Sequence, residues 1–141
     1  MNAPLPREIF KTYDIRGIVG RSLTAEVVRR IGQGLGSLAV ERGQRAIAVG
    51  RDGRLSGPEL AAALSDGIRM AGIDTIDVGC VPTPVVYFAA HELGCQSCVA
   101  VTGSHNPPDY NGLKMVIGGE TLAGEAIQGI RERVDAGRLC Q

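Results

Sequence analysis

Residues 98–117 read CVAVTGSHNPPDYNGLKMVI, and this segment predicts the fold of the chain more directly than any other. Its first four residues are apolar, as in a buried strand, and residues 113–117 form a second strand-like stretch that is apolar except for Lys114. The segment between them contains a hydroxyl at Ser104 and an imidazole at His105, and an ammonium follows at Lys114. We expect Ser104 to lie just past the end of the first strand, where open α/β sheets bind ligands.

The loop that contains Ser104 is expected to be stiff. Pro107 and Pro108 each fix φ, and Asn106 is pushed towards extended geometry by the proline that follows it. Residues 111–112, Asn-Gly, are typical of a tight turn with positive φ. The sequence therefore predicts that the chain turns at this pair and returns as an antiparallel strand.

Upstream of this segment, helical and strand patterns alternate. A helix is predicted over Ala25–Glu41, with Thr24 as its N-cap and Gly43 as its stop, and a capping box at residues 56–59 begins a second helix. The other predicted elements are strands at residues 46–49 and 73–78, a helix over about residues 83–94, and a last helix over about residues 123–135.

This order predicts one α/β domain over residues 1–141. It has three layers, α/β/α, around a four-stranded mixed sheet. Three parallel strands are joined by right-handed crossovers, and the strand after the Ser104 loop is added as an antiparallel edge, in the order 2-1-3-4.

Composition excludes several classes of function. Fifteen basic and fifteen acidic residues balance, so a general nucleic-acid-binding surface is not expected, and 44% apolar residues suffice for a core. No apolar run approaches the length of a membrane span, and the first residues lack the apolar segment of a signal peptide. We expect a cytoplasmic protein that binds neither nucleic acid nor membrane.

Two local patterns are interpreted as structural. Cys95 and Cys98 form a C-x-x-C pair, but no second pair or histidine stands at zinc-site spacing, and Cys98 leads into a strand where redox motifs open a helix. The glycines of residues 32–36 lie inside a helical pattern, so they are not a dinucleotide fingerprint. Gly32 and Gly36 instead predict close packing of that helix against the sheet.

Four motifs together resemble one enzyme family. They are residues 13–17 (YDIRG), 50–54 (GRDGR), 82–84 (PTP) and the loop from 102 to 114. The set resembles the amino-terminal domain of the α-D-phosphohexomutases, in the phosphomannomutase/phosphoglucomutase branch more than among the phosphoglucosamine mutases. This family has four domains. The resemblance therefore implies that this chain is its first domain, with the later domains absent, and that it has little or no mutase activity alone.

The resemblance also implies roles for individual residues. Ser104 would carry a phosphoryl group and hand it to a hexose phosphate, giving a sugar bisphosphate that is both intermediate and activator. Arg16 and Lys114 would lie near the transferred phosphoryl group and His105 beside the sugar, with the acid and base roles undivided among these three. Tyr13 would stack on or hydrogen-bond the sugar, although a half-buried strand tyrosine fits the residues equally well.

A magnesium ion is implied by the same resemblance, with the phosphoryl group on Ser104 as one ligand. The family's other ligands lie in an Asp-Gly-Asp motif of the second domain, which this sequence lacks, since Asp109 and Asp135 stand alone. Two alternatives stay open. One is a phosphoglucosamine mutase domain, and the other is a non-catalytic domain of the same fold that binds phosphate or a protein partner.

Residues 51–54 follow the first predicted strand of the sheet. By themselves, Arg51, Asp52 and Arg54 predict an ion-pair cluster in a loop. In the context of the family resemblance this cluster is interpreted as architectural.

Overall fold

The computed structural model describes residues 3–141, in which strands and helices alternate from residue 15 to residue 101, and two further strands and a last helix follow. The helices are α1 (Ala25–Glu41), α2 (Gly57–Met70), α3 (Thr83–Glu92) and α4 (Glu125–Asp135). The strands are β1 (Ile15–Ile18), β2 (Ala46–Arg51), β3 (Asp74–Cys80), β4 (Cys98–Val101), β5 (Tyr110–Ile117) and β6 (Glu120–Thr121). None of the described helices is long and apolar enough to cross a membrane.

A single mixed sheet connects all six strands. Its order is β1-β5-β4-β2-β3, with the short β6 paired to β5. Strands β2, β3 and β4 are parallel, and β5 is antiparallel to both β4 and β1. The predicted order of β2, β3, β4 and β5, the four strands that the sequence predicts, is confirmed. However, the sheet has six strands, and β5 is not an edge because β1 lies outside it.

Helices cover the two faces of the sheet unequally. The main core contains Ile31 and Leu35 of α1, Leu64 of α2 and Ile130 of α4, packed with the sheet residue Val99. On the opposite face α3 forms a smaller apolar cluster whose buried members are Ala48, Val86, Ala90, Cys98 and Ala100. The predicted three layers are therefore present, with three helices on one face and one on the other.

Helix α1 has the predicted bounds and the predicted cap. Thr24 Oγ1 accepts a hydrogen bond from the Val27 amide at 3.1 Å, and Gly43 has a φ of +73° after the last turn. Gly32 and Gly36, however, face α2 and not the sheet. A Cβ at Gly32 would lie 2.4 Å from the Leu64 carbonyl oxygen, so the predicted close packing joins two helices.

The predicted turn at Asn111-Gly112 is wrong, because both residues lie inside β5 and neither has a positive φ. The glycine is needed there for another reason. A Cβ at Gly112 would lie 2.3 Å from the Ile15 carbonyl oxygen, so β1 can approach β5 only at a residue without a side chain.

The predicted capping box at the start of α2 is also not formed. Ser56 makes no side-chain cap to the helix. Its hydroxyl instead accepts a hydrogen bond from Asn111 Nδ2 at 2.9 Å, which ties the start of α2 to β5 beside the Ser104 loop.

Candidate active site

Ser104 lies three residues past the end of β4, in the loop that joins β4 to β5. The chain leaves β4 at Val101, and the Thr102 amide still bonds to the Gly112 carbonyl at 2.9 Å. Ser104 then takes a φ of +51°, a left-handed conformation that L-residues rarely adopt. Its amide donates to Thr102 Oγ1 at 3.0 Å, and its side chain is half-buried. Ser104 thus emerges where the sequence predicts it, in a strained backbone conformation of a kind found at functional sites.

Asp52, just after β2, holds the first part of this loop. Its Oδ2 accepts hydrogen bonds from Thr102 Oγ1 at 2.8 Å and from the Gly103 amide at 3.1 Å. Gly103 must be a glycine, since a Cβ there would lie 2.0 Å from Arg54 Nε. The parallel pairing of β2 and β4 places the ends of both strands at the same edge of the sheet and so brings Asp52 to the loop.

Arg54 holds the second part of the loop through its backbone carbonyls. Its Nη1 donates to the carbonyl oxygens of Pro107 at 2.5 Å and of Tyr110 at 3.0 Å. Its Nη2 donates to those of Ser104 at 3.2 Å and of Asn106 at 2.7 Å. One guanidinium therefore organises most of the loop.

Arg16 and Lys114 project from the same face of the sheet. Arg16 pairs with Gly112 across β1 and β5, and Lys114 is two residues further along β5, opposite Ala100 of β4. Since side chains two residues apart in a strand share a face, both lie on the side that α3 covers over β2 and β4. Both are partly exposed.

These two cations line an open cleft of about 750 Å³, which we call the Arg16 cleft. Its polar lining includes Glu8, Lys11, Tyr13, Asp14, Arg16, Asn106 and Lys114. Tyr13 is 77% exposed at the cleft, which excludes the alternative of a half-buried strand tyrosine.

Only some of the hydrogen-bond donors of Arg16 have a partner within the cleft. One terminal nitrogen forms an ion pair with Asp14 Oδ2, and Asp14 is itself buried. Within residues 3–141, Arg16 Nε is buried and has no hydrogen-bond partner. A buried donor without a partner is costly, so this atom is suited to an acceptor supplied by a bound anion.

The structure thus brings Tyr13, Arg16 and Lys114 into one cleft but leaves Ser104 and His105 outside its lining. His105 is exposed in the neighbouring loop. Asn106 lines both the Arg16 cleft and a second cleft of about 430 Å³ beside Asp52 and Arg54. The loop of Ser104 is therefore adjacent to the cationic cleft.

The surroundings of Cys95 and Cys98, the C-x-x-C pair, are those of a buried structural thiol and its neighbour. Cys98 lies in the apolar cluster under α3, and burial, with a smaller effect of the Cys95 thiol, raises the pKa of the Cys98 thiol to about 12. The thiolate is the form that attacks or binds metals, and at neutral pH Cys98 holds its proton. The pair is therefore poorly suited to redox or metal chemistry.

Comparison with known proteins identifies the family. The sequence profile of "Phosphoglucomutase/phosphomannomutase, alpha/beta/alpha domain I" matches residues 7–139. The chain belongs to this family. The phosphomannomutase/phosphoglucomutase of Pseudomonas aeruginosa is 56% identical over 135 residues, which are 96% of this chain and 29% of that protein. The phosphoglucomutase of Neisseria meningitidis serogroup B is 56% identical over 89% of this chain and 27% of that protein.

Solved structures agree with the assignment to the phosphoglucomutase/phosphomannomutase family. A family protein from Burkholderia thailandensis matches 97% of this chain with a TM-score of 0.92 at 52% identity, over 32% of its own chain. A phosphomannomutase described as putative, from Thermus thermophilus, has a TM-score of 0.83 at 33% identity. The chain therefore spans about 29% of the length of the curated relatives it matches, in the position of their domain I.

The described residues bring together too few carboxylates for a magnesium site. Residues 3–141 contain no group of three or more histidine, cysteine, aspartate or glutamate side chains placed to hold a metal ion. Asp52, the carboxylate nearest to the loop, already accepts two hydrogen bonds from it. These residues do not fit a complete magnesium site.

Sequence reasoning missed the importance of Asp52 and Arg54. It placed them in an ion-pair cluster, and the ion pair exists, with Arg54 Nε 3.6 Å from Asp52 Oδ2. Their hydrogen bonds to the Ser104 loop depend on partners 50 or more residues away, which no local pattern reveals. The available signal was their place after β2, at the sheet edge where Ser104 also emerges.

Proposed function

We propose that this chain is the phosphoserine-bearing domain of a hexose-phosphate mutase, with Ser104 as the phosphoryl carrier. The observation that supports this most is the left-handed Ser104 at the carboxyl end of β4, beside a cleft that contains Arg16 and Lys114. The family of the chain and the names of its relatives suggest hexose 1-phosphates and 6-phosphates as substrates.

The proposed reaction has two phosphoryl transfers. In the first, the bond between phosphorus and Ser104 Oγ breaks, and a bond forms from phosphorus to the free hydroxyl oxygen of the sugar phosphate. The proton of that hydroxyl is passed on, and Ser104 Oγ gains one. The resulting sugar bisphosphate then reverses its orientation in the site. It returns its other phosphoryl group to Ser104, with the protons moving in the opposite sense.

The residues of the site suit this chemistry. Phosphoryl transfer depends mainly on positioning and on neutralising the charge of the phosphoryl oxygens. Arg16 is permanently charged, and its unpartnered Nε is ready for such an oxygen. Lys114 adds a mobile charge, and Lys114 and His105 are the side chains able to exchange the proton. Tyr13, exposed beside the cleft, is proposed to contact the sugar.

A magnesium ion would offset the charge of the phosphoserine. In this domain the phosphoryl group on Ser104 is the ligand we propose, and the remaining ligands would come from other domains of the enzyme. We propose a cytoplasmic location, because all four cysteines are free thiols, as in reducing compartments.

The test uses the full-length protein that contains this chain. Ser104→Ala is expected to lower kcat for hexose-phosphate interconversion by at least about a thousandfold, because the phosphoryl carrier is lost. Ser65→Ala is the control, since Ser65 is equally half-buried but lies on α2. Peptide mass spectrometry of the wild-type protein should place a phosphoryl group on Ser104. Wild-type turnover in the Ser104→Ala variant would refute the proposal.

A further inference from the structure

Both terminal nitrogens of the Arg54 guanidinium are occupied by the protein. An arginine has five N–H donors in a planar fork. The two terminal nitrogens of Arg54 donate to four carbonyl oxygens of the Ser104 loop, and Nε faces Asp52 Oδ2 at 3.6 Å. Neither terminal nitrogen can bind a phosphate without releasing part of the loop. Arg54 is thus distinct from Arg16, which keeps an unpartnered nitrogen in its cleft.

The contacts of Arg54 and Asp52 fix the backbone on both sides of Ser104. Asp52 accepts from the Thr102 hydroxyl, and that hydroxyl accepts from the Ser104 amide at 3.0 Å. On the other side, Arg54 binds the Ser104 carbonyl. Both peptide groups that flank Ser104 are therefore held, which is what a left-handed serine needs in order to persist.

We propose that Arg54, oriented by Asp52, is a positioning residue that holds Ser104 in its left-handed conformation and thereby aims its Oγ for phosphoryl transfer. This rests on the proposed function of Ser104. A lysine at position 54 keeps the charge but offers three donors from a single atom, so it cannot reach four separate carbonyls. The loop would stay attached to the fold and lose its alignment.

The experiment compares Arg54→Lys with Arg133→Lys in the full-length enzyme. The two arginines are matched, since each has a side chain 15% exposed and an ion pair with a carboxylate, but Arg133 pairs with Glu41 and does not contact the loop. We expect Arg54→Lys to lower kcat about 100-fold with KM within about twofold, because misalignment of the reacting group affects the chemical step. Arg133→Lys should keep the wild-type kcat.

Each outcome is decisive. Kinetics are measured at a temperature well below the thermal unfolding midpoint of every variant. A lower kcat then does not reflect a smaller fraction of folded protein. Wild-type kcat in Arg54→Lys, or an equal loss in Arg133→Lys, would overturn the positioning role. If Arg54→Lys does not fold, Asp52→Asn replaces it, with the same expected loss of kcat and the same overturning result. Ser104→Ala separates the two proposals, since full turnover there refutes the phosphoryl carrier itself.

Discussion

Ser104 combines the proposed chemistry with an unfavourable backbone. Its φ of +51° places an L-residue in the left-handed region, at a cost of roughly 1–2 kcal/mol. Glycine would avoid most of this cost, yet a glycine has no hydroxyl to carry a phosphoryl group. A serine at this position therefore lowers the stability of the fold but provides the hydroxyl. The hydrogen bonds of Asp52 and Arg54 keep the strained conformation in place.

Replacing Ser104 should separate stability from activity. We expect Ser104→Gly to be about 0.5–1 kcal/mol more stable than Ser104→Ala, because relief of left-handed strain exceeds the greater unfolded-state entropy of glycine. Neither variant of the full-length enzyme should turn over. Urea unfolding of this chain measures the difference in stability.

Gln96 provides the matched control, since its φ is +58° in the loop between α3 and β4, outside the site. Gln96→Gly should show the same gain over Gln96→Ala, with wild-type turnover in both. A Ser104→Ala variant more stable than Ser104→Gly would contradict the interpretation of strain.

For single residues, the sequence predicts which side chains could react but not which contacts position them. Ser104, Arg16 and Lys114 can be picked out because their residue types stand beside a strand end or in a motif. The four carbonyl contacts of Arg54 cannot, since they require the backbone path of a loop 50 or more residues away. Propensity and periodicity describe neighbours along the chain, and such contacts join residues distant in sequence.

Helices α1 and α2 pack through glycines on both sides. A Cβ at Gly67 of α2 would lie 1.9 Å from the Arg29 carbonyl oxygen, and one at Gly32 of α1 would lie 2.4 Å from that of Leu64. The clashing atoms belong to the opposite backbone, so no side-chain rotation can relieve them. The two helices can touch this closely only where both lack side chains, and this contact sets the distance between them.

Gly67→Ala should therefore destabilise the domain by about 3 kcal/mol, because the added methyl group forces the helices apart. The control is Gly129→Ala in α4, where a Cβ would meet nothing within 4 Å. That variant should gain about 0.5–1 kcal/mol, as alanine favours a helix interior. Urea unfolding of both variants checks the difference in sign. A Gly67→Ala variant as stable as the wild type would show that α1 and α2 can separate at this contact without loss of stability.

Long periodic elements were predictable and the short edge strand was not. Helix α1 was predicted with its observed bounds because an apolar stripe over 17 residues with a cap at Thr24 outweighs the glycine pattern inside it. Strand β1 has four residues, one of them Gly17, and its pairing depends on the close approach at Gly112. A strand whose stability comes from its partner leaves little signal in its own sequence.

In the molecule as a whole, the main core and the proposed site lie on opposite faces of the sheet. The main core lies under α1, α2 and α4, while Arg16 and Lys114 project from the opposite face into an open cleft. The described residues assemble no cluster of metal ligands. The relatives named as mutases are more than three times as long as the part that this chain matches. We infer that this domain supplies one wall of a catalytic site.

The 141-residue chain by itself should therefore fold and yet fail to catalyse. Its core is continuous from α1 to α4, so we expect a single cooperative urea transition, with circular dichroism and fluorescence changing together. Interconversion of hexose 1-phosphate and 6-phosphate should stay at the buffer rate, because an open cleft neither excludes water nor orients the sugar. The full-length enzyme, assayed in parallel with magnesium, is the positive control. Turnover by the purified chain that disappears in its Ser104→Ala variant would show that this domain contains a complete site after all.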